Sequence, residues 1–420
     1  METKTVSILV IKFVYLKTIK MNLEEVKKTI NYLLDNNLEL IKRGQNKIAI
    51  NLIGEAGCGK TSIVQQIAEE RGAGYKRLNL SELEEIGDLA GVPVKEYAMY
   101  KNNEEKWVTE KVVDRYIAMG WELCESCEPR MNYAVPEWVP KDPEQEFILT
   151  LDDYNRATSL FMQATMSLIQ FGEYISWKLP KKCHLILSSN PDSGVYSVAS
   201  CDAAQMSRMI NFNVDFDPKV YSKWCDNIGM KDQLINFMLL NPEIFKNNGV
   251  NARTYTMFAN ALMGVKEFES PESLEMISLI GSGCFGETGD VVSSLFVTFV
   301  HNHLDKLITP EQMLNMDWLD LQKSLIVCLY ENSAYRADIA ATLTVRFCNY
   351  VEAYFKDKTN PDKKKSDKVI KRMTELITSP KKLLTEDLIF RMIKDLYTKF
   401  PNRLEKLIAN PQISSKFLAL

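Results

Sequence analysis

The sequence predicts an α/β fold, in which a parallel sheet of five strands carries helices on both faces and is followed by an all-helical part. Three observations predict it. Residues 54–62 match the phosphate-binding loop pattern G-x-x-x-x-G-K-[ST], between an apolar run and a helical pattern. Short apolar runs then alternate with helical patterns as far as residue 214. From Asp217 onward the pattern is helical, without convincing strands.

Five apolar runs have the length of buried strands, and their separation by helical patterns is typical of a parallel sheet. The runs are 48–53, 75–80, 147–151, 184–189 and 210–214. Residues 22–44, ahead of the first run, alternate apolar and charged residues at helical spacing. Glu24 and Glu25 stand in the predicted first turn, where acidic side chains favour a helix start.

The first twenty residues leave two interpretations open. Residues 6–15 are apolar, but Lys12 interrupts them and they are too short to span a bilayer. No small-residue cleavage site follows, so we predict no secretory signal. Residues 1–20 are either an extension upstream of a start at Met21 or an additional N-terminal strand.

The composition is that of a globular cytoplasmic protein. Of 420 residues, 46% are hydrophobic and 25% are charged, and the formal net charge of −4 gives no overall field that would recruit nucleic acid or an acidic membrane. Nine cysteines, scattered and odd in number, favour reduced thiols over a disulfide framework. Cys124 and Cys127 have the spacing of half a zinc site, but no second pair accompanies them, so we expect no zinc there.

The phosphate loop predicts binding of ATP with Mg²⁺. Its glycines let backbone N–H groups turn toward phosphate oxygens, and the helix that follows adds the partial positive charge of its N-terminus. Lys60 supplies a cation to the β- and γ-phosphates, and Thr61 supplies a hydroxyl to Mg²⁺. The predicted nucleotide-binding residues are Gly54, Glu55, Ala56, Gly57, Cys58, Gly59, Lys60, Thr61 and Ser62.

Hydrolysis needs a metal carboxylate and a group that orients water, and two later strand ends offer them. The run 147–151 leads into Asp152 and Asp153. We predict that Asp152 holds Mg²⁺ with Thr61, and that Asp153 aligns or deprotonates the attacking water. Asn190 ends the next apolar run and is predicted to hold that water from the neighbouring strand.

Together these segments resemble the MoxR-like, dynein-related branch of the AAA+ ATPases. Residues 151–157, Leu-Asp-Asp-Tyr-Asn-Arg-Ala, are similar to that branch's L-D-E-[IL]-N-[RQ]-A. Residues 163–180 resemble its second helix with an inserted hairpin. Residues 133–140 and 251–253 resemble the P-P-E-x-L-P and x-P-R segments of a subgroup common in phage and bacterial genomes. The resemblance covers roughly residues 45–305.

This resemblance implies an AAA+ core, a helical lid and a helical C-terminal extension. On its pattern, residues 21–216 form the core with an insertion at 95–132, residues 217–308 the lid and residues 309–420 the C-terminal region. The lysine-rich stretch 356–372 is predicted to be a solvated loop between helices; a partner-binding patch is the alternative.

The resemblance also implies a ring of identical subunits, usually a hexamer, with ATP bound between subunits. Arg208 would then reach the γ-phosphate held by a neighbour, and Arg253 would sense nucleotide from the lid of its own subunit. From the residues alone, both read as surface arginines. Such ATPases remodel or assemble partner proteins, here an unidentified client in the cytoplasm, which is that of the host if the chain is phage-encoded.

Three departures from the family pattern are visible: Asp153 where glutamate is usual, no proline in the lid motif, and the insertion. Aspartate is one methylene shorter than glutamate, so a nucleotide-binding scaffold with little turnover is one alternative function. A nucleic-acid motor or loader is another, because phosphate loops also serve helicases. The sequence lacks the basic, aromatic-interleaved surface that such a motor needs.

Overall fold

The computed structural model describes residues 20–192, 198–246, 249–331, 333–357, 362–411 and 413–414. The chain divides into two compact units, one ending at Phe216 and the other beginning at Asp217. Residues 1–19, most of the segment predicted to be an extension or a strand, lie outside the described residues.

The first unit contains both strands and helices. Its strands are β1 (Lys20–Met21), β2 (Ala49–Ile53), β3 (Gly74–Asn79), β4 (Pro93–Lys101), β5 (Glu104–Thr109), β6 (Glu122–Leu123), β7 (Arg130–Tyr133), β8 (Phe147–Asp152), β9 (Glu173–Tyr174), β10 (Trp177–Lys178), β11 (Cys183–Ser189) and β12 (Met209–Val214). Its helices are α1 (Leu23–Lys42), α2 (Lys60–Arg71), α3 (Ile86–Ala90), α4 (Glu110–Ala118), α5 (Ser159–Ala164), α6 (Met166–Phe171) and α7 (Ala203–Met206), with 3₁₀ turns at Leu80–Glu82 and Tyr154–Arg156.

The main sheet is parallel, in the order β1-β12-β2-β11-β8-β3. The five predicted strands form its body, so the predicted α/β fold class is confirmed. A sixth strand, β1, adds two residues at the edge, where Lys20 and Met21 pair with Asn213 and Val214. The chain leaves β2 toward β3 at one edge and leaves β11 toward β12 on the opposite side of β2. Ligands bind at such a reversal, beyond the carboxyl ends of the strands.

Apolar residues on both faces bury the sheet, as the near-continuous apolar runs require. One face packs against α1 and α2, through Val26, Ile30, Leu34, Ile63, Ile67, Ile50, Ile148 and Ile186. The other packs against α5 and α6, through Phe161, Met162, Leu168, Leu149, Leu151 and Leu187. Helix α1 begins as predicted, because Asn22 accepts from the Glu25 N–H (3.0 Å) and the Glu25 carboxylate accepts from the Asn22 N–H (3.0 Å).

The predicted insertion is an antiparallel sheet of its own. Strand β4 pairs with β5 on one side, and with β7 and β6 on the other. Helix α4 packs on it around Met99, Val108 and Trp121, which are buried. This antiparallel sheet runs from β4 to β7, a little beyond both ends of the segment predicted to be an insertion.

The expectation of reduced thiols is wrong for one pair in this insertion. Cys124 and Cys127 form a disulfide, with their Cα atoms 5.4 Å apart. The turn after β6 brings them together, because the Cys127 N–H donates to the Cys124 carbonyl (3.4 Å). The other seven cysteines are free thiols.

The segment after the acidic strand folds into the short helices and hairpin that the family resemblance implies. Helix α6 ends at Phe171, Gly172 turns the chain, and β9 and β10 pair in antiparallel fashion. The Trp177 indole N–H donates to the Ala90 carbonyl (2.9 Å), which fixes the hairpin to the segment after α3. Ile175, at the hairpin tip, is exposed.

The second unit is almost entirely helical. Its helices are α8 (Pro218–Asn227), α9 (Asp232–Leu240), α10 (Ala252–Ala261), α11 (Pro271–Phe285), α12 (Gly289–His301), α13 (Pro310–Asn315), α14 (Trp318–Leu329), α15 (Ala337–Lys356), α16 (Asp362–Thr378), α17 (Glu386–Lys399) and α18 (Pro401–Ile408), with 3₁₀ turns at Pro242–Lys246, Gly286–Thr288 and Leu304–Lys306. Two short strands, β13 (Tyr330–Glu331) and β14 (Ala334–Tyr335), were not predicted and form a small hairpin. In the described part of the chain, none of the helices is long and apolar enough to cross a bilayer.

The lysine-rich stretch 356–372 is not the predicted loop. Helix α16 begins at Asp362 and takes up most of it; residues 358–361 lie outside the described residues. Lys365 is buried in this helix and donates to the Asp357 carbonyl, and Arg372 donates to the Met316 carbonyl. Charged side chains that bond to main-chain carbonyls let a lysine-rich sequence pack as a helix.

Candidate nucleotide-binding site

The phosphate loop joins the carboxyl end of β2 to the first turn of α2. The Gly54 N–H donates to the Ser189 carbonyl (3.1 Å), so the loop starts from a fixed point on the neighbouring strand. Gly57 (φ 75°) and Gly59 (φ 99°) adopt left-handed backbone conformations, which turn the N–H groups of the loop inward. Gly59 is the N-cap of α2 and offers no side chain there, which suits a helix N-terminus that receives an anion.

Lys60 lies inside this loop with only 7% of its surface exposed. Its ammonium donates to the carbonyls of Gly54 (2.6 Å) and Glu55 (2.9 Å). Burial lowers the pKa of Lys60, while the nearby Cys58 thiol, followed by the Asp153 and Asp152 carboxylates, acts to raise it. A buried cation whose hydrogen-bond partners here are neutral carbonyls is well suited to a phosphate.

Asp152, the last residue of β8, is tied directly to the loop. Its Oδ1 accepts from the Thr61 hydroxyl (2.8 Å) and from the Ser188 hydroxyl. Its Oδ2 lies 3.7 Å from the Arg77 guanidinium. The structure thus brings together Thr61 and Asp152, the two residues predicted to hold Mg²⁺, although 91 positions separate them.

Asp153 follows in a left-handed backbone conformation (φ 51°, ψ 40°), which aspartate adopts more readily than most residues. Its N–H donates to the Ser188 hydroxyl (3.2 Å), and its Oδ1 accepts from the Asn190 side-chain amide (3.1 Å). The predicted water-orienting residues Asp153 and Asn190 are therefore in direct contact.

Two residues that sequence reasoning did not assign hold this arrangement. The Ser188 hydroxyl connects the Asp152 carboxylate to the Asp153 N–H. The Asn155 amide donates to the Asn190 carbonyl (2.7 Å), and its Oδ1 accepts from the Asn190 N–H (3.0 Å). Asn155 stands in the family-like segment 151–157, and that was the only signal for it in the sequence.

Replacing Asn155 is expected to destabilise the fold. Asn155 is 4% exposed, so Asn155→Ala leaves the N–H and carbonyl of Asn190 buried without their partners. Each such group costs about 1–3 kcal/mol. Urea denaturation measures the loss, and Asn31→Ala is the matched control. The part-buried Asn31 amide donates to the Lys27 carbonyl and its oxygen accepts from Arg71 (3.3 Å). Its loss should change stability far less, because Arg71 keeps its ion pairs with two carboxylates. Equal losses in the two variants would mean that Asn155 does not hold Asn190.

The two predicted arginines lie in different units, and Arg208, in the first, does not bond to the residues of this cluster. Arg208 lies between α7 and β12, where its guanidinium donates to the Gln170 side chain (3.1 Å) and to the Ala204 carbonyl. Arg253 lies in the second unit, exposed in the first turn of α10, whose N-cap is Asn251.

The residues present fit ATP and Mg²⁺. The glycine turns, the buried ammonium of Lys60 and the N-terminus of α2 supply donors and positive charge for phosphates. Thr61 and Asp152 offer a hydroxyl and a carboxylate to a hard cation. Within the described ranges, no three His, Cys, Asp or Glu side chains form a metal cage. That is compatible with Mg²⁺, which in phosphate sites takes one or two carboxylates and completes its shell with water and substrate oxygens.

No protein-family model and no curated protein matches the chain. Among solved structures, variants of RuvB from Thermotoga maritima are similar to it. One is 15% identical with a TM-score of 0.34, over 61% of this chain and 72% of the RuvB chain. A second is 16% identical with a TM-score of 0.30, over 72% of this chain and 81% of the RuvB chain. The fold assignment itself rests on the strand order and phosphate loop of this chain.

Proposed function

We propose that the protein binds ATP with Mg²⁺ and hydrolyses it. One observation carries the proposal: Asp152 is hydrogen-bonded to Thr61 of the phosphate loop, while the adjacent Asp153 is hydrogen-bonded to Asn190 of the next strand. A metal carboxylate and a water-orienting pair thus meet at the loop that would hold the phosphates. Phosphoryl transfer needs little more from a protein than positioning and charge stabilisation.

Each residue has a defined task in this proposal. Lys60 and the loop N–H groups would hold the phosphates, and Thr61 and Asp152 would hold Mg²⁺, which would draw negative charge from the phosphate oxygens. Asp153 accepts a proton from, or aligns, the attacking water. Asn190 donates to Asp153 and fixes the direction of its carboxylate, with Asn155 holding Asn190 in turn.

The resemblance to the MoxR-like branch extends the proposal to assembly. In a ring of identical subunits, usually six, Arg208 would approach the γ-phosphate of the next subunit and Arg253 would report nucleotide from its own lid. The position of Arg208 supports this role, because its guanidinium lies outside the cluster around Lys60 and contacts Gln170 instead. Hydrolysis would then drive the remodelling or assembly of partner proteins in the cytoplasm.

A nucleotide-binding scaffold with low turnover is the second candidate, and the length of Asp153 favours it. The carboxylate of Asp153 reaches one methylene less far than that of glutamate, and a misplacement of this order can cost about 10²-fold in rate. A turnover assay on assembled protein with saturating ATP separates the two candidates. Release of phosphate over many turnovers supports the ATPase, whereas bound ATP that stays intact supports the scaffold.

Lys60→Ala is expected to abolish ATP binding while the fold remains intact, because it removes the only buried ammonium described in the loop. Lys47→Ala is the matched control. Lys47 is also largely buried, and its ammonium donates to the carbonyls of Pro180 (3.1 Å) and Cys183 (2.5 Å), away from the loop. Titration with a fluorescent ATP analogue measures affinity, and circular dichroism checks the fold. ATP affinity that survives Lys60→Ala would refute the proposed site.

A further inference from the structure

A chain of polar side chains crosses the middle of the main sheet. The Ser189 hydroxyl on β11 donates to the Asn51 Oδ1 on β2 (2.8 Å), and the Asn51 amide donates to the Asn211 Oδ1 on β12 (3.0 Å). The Asn211 amide donates to the carbonyls of Met206 (2.9 Å) and Met209 (3.1 Å). We call Ser189, Asn51 and Asn211 the amide ladder.

The stability gained by burying these side chains does not explain why polar residues occupy these positions. Strands in the middle of a parallel sheet are usually apolar throughout, and Asn51 is 0% exposed between the buried residues Ile50 and Leu52. A polar side chain there stabilises the fold little more than an apolar one of the same shape would. Its hydrogen bonds mainly offset the cost of removing it from water. The three side chains satisfy one another's hydrogen bonds without stabilising the sheet much more than apolar ones would, which points to a role in positioning.

One end of the ladder lies at the nucleotide site. The Ser189 carbonyl accepts from the Gly54 N–H at the start of the phosphate loop (3.1 Å). The next residue, Asn190, bonds to the Asp153 carboxylate. A shift of the carboxyl end of β11 relative to the loop would therefore move the hydroxyl that holds Asn51.

The other end lies at Arg208. Asn211 holds the carbonyls of Met206 and Met209, which stand on either side of the segment Ser207-Arg208. The Arg208 N–H donates to the Gln205 carbonyl (3.2 Å), so the same turn fixes the start of the arginine side chain. Asn51 and Asn211 are directly paired in the β2–β12 register, which leaves the amides little freedom to move apart.

We propose that Asn51, Ser189 and Asn211 are positioning residues that couple the nucleotide site of a subunit to its own Arg208. The state of the phosphate loop and Asn190 thereby sets the placement of the guanidinium that the subunit offers to its neighbour. This inference rests on the proposed function, because it takes Arg208 as the residue that acts on the next subunit. Coupling between two sites requires an element that both sites bias, and the ladder contacts the segments that carry both of them.

The test uses Asn211→Ala, at the half-buried end of the ladder, with Asn213→Ala on the same strand as the matched control. Turnover of assembled protein is expected to fall about 10²-fold in Asn211→Ala, because misplacing a catalytic group costs a rate of that order. The affinity for ATP should not change. In an Arg208→Ala background, Asn211→Ala is expected to have no further effect on turnover, because the two changes remove the same contribution. The double variant Asn51→Leu/Ser189→Ala replaces polar by apolar side chains. It should also lower turnover with ATP affinity kept, and should have no further effect in the Arg208→Ala background.

A second readout does not depend on turnover. In the parent protein, ADP with Mg²⁺ is expected to change amide hydrogen exchange across residues 204–209, and in Asn211→Ala that change should be lost. Independent effects of Asn211→Ala and Arg208→Ala on turnover, or an unchanged exchange response, would overturn the ladder while leaving the proposed ATPase intact. Normal turnover in Arg208→Ala itself would overturn both the role of Arg208 and the ladder.

Discussion

Arg208→Ala is expected to bind ATP normally and to hydrolyse it about 10³–10⁵-fold more slowly than the parent, the contribution that an arginine acting on the transferred phosphate makes in other phosphate-loop enzymes. The guanidinium neutralises charge that develops only in the transition state, so affinity for ATP should not change. Phosphate release by assembled protein measures the rate, and nucleotide titration measures the affinity. Arg43→Ala, at the exposed end of α1, is the control for loss of a surface arginine.

Mixing experiments test whether Arg208 acts between subunits. Arg208→Ala and Lys60→Ala proteins, each nearly inactive alone, should regain some activity together, because an intact Lys60 site then meets an intact Arg208. Arg253→Ala should not be rescued in this way, since the proposed role of Arg253 is to sense the nucleotide of its own subunit. Specific activity of the parent should also rise with protein concentration. Constant activity on dilution to monomer would disprove the action between subunits.

Asp153→Asn is expected to keep ATP binding and to lose hydrolysis by about 10²–10⁴-fold, the usual contribution of a general base. The amide has nearly the shape of the carboxylate and tolerates the left-handed backbone at this position (φ 51°), so the fold should be preserved. What it lacks is the ability to take a proton. Single-turnover measurement of bound ATP separates chemistry from product release.

Asp153→Glu is the companion to that variant. It restores the reach of the usual glutamate and should keep or raise the rate of hydrolysis. The fold should become less stable, because glutamate adopts the left-handed backbone conformation less readily than aspartate. If Asp153→Asn hydrolyses ATP at the parent rate, the water is oriented by some other group, and Asn190 would need a different role.

The sequence was sufficient to predict the elements that depend on residues close together along the chain. The phosphate loop was predicted with its strand and helix because its glycines and lysine act within nine consecutive residues. Helices α11 and α13 also begin at local signals, because Ser270 and Thr309 each cap their helix by accepting from the N–H three residues on. The five core strands were predicted from apolar runs that a parallel sheet buries on both faces.

What the sequence could not supply was the set of contacts between strands distant along the chain. Thr61 and Ser188 converge on Asp152, and Asn155 holds Asn190, because the strand order places β8 next to β11 and β11 next to β2. Strand order depends on how the whole chain packs, and apolar periodicity within one strand carries no information about its neighbour.

The same reason explains the errors. The Cys124–Cys127 disulfide depends on the turn that follows β6, and β6 is held in place by pairing with β4. The lysine-rich helix α16 depends on a carbonyl contributed by another part of the second unit. Composition alone favoured free thiols and a loop. The sequence by itself therefore determined the fold class and supplied the residue types of the candidate site. The tertiary structure decided which side chains meet there, because hydrogen bonds between distant segments exist only once those segments are packed together.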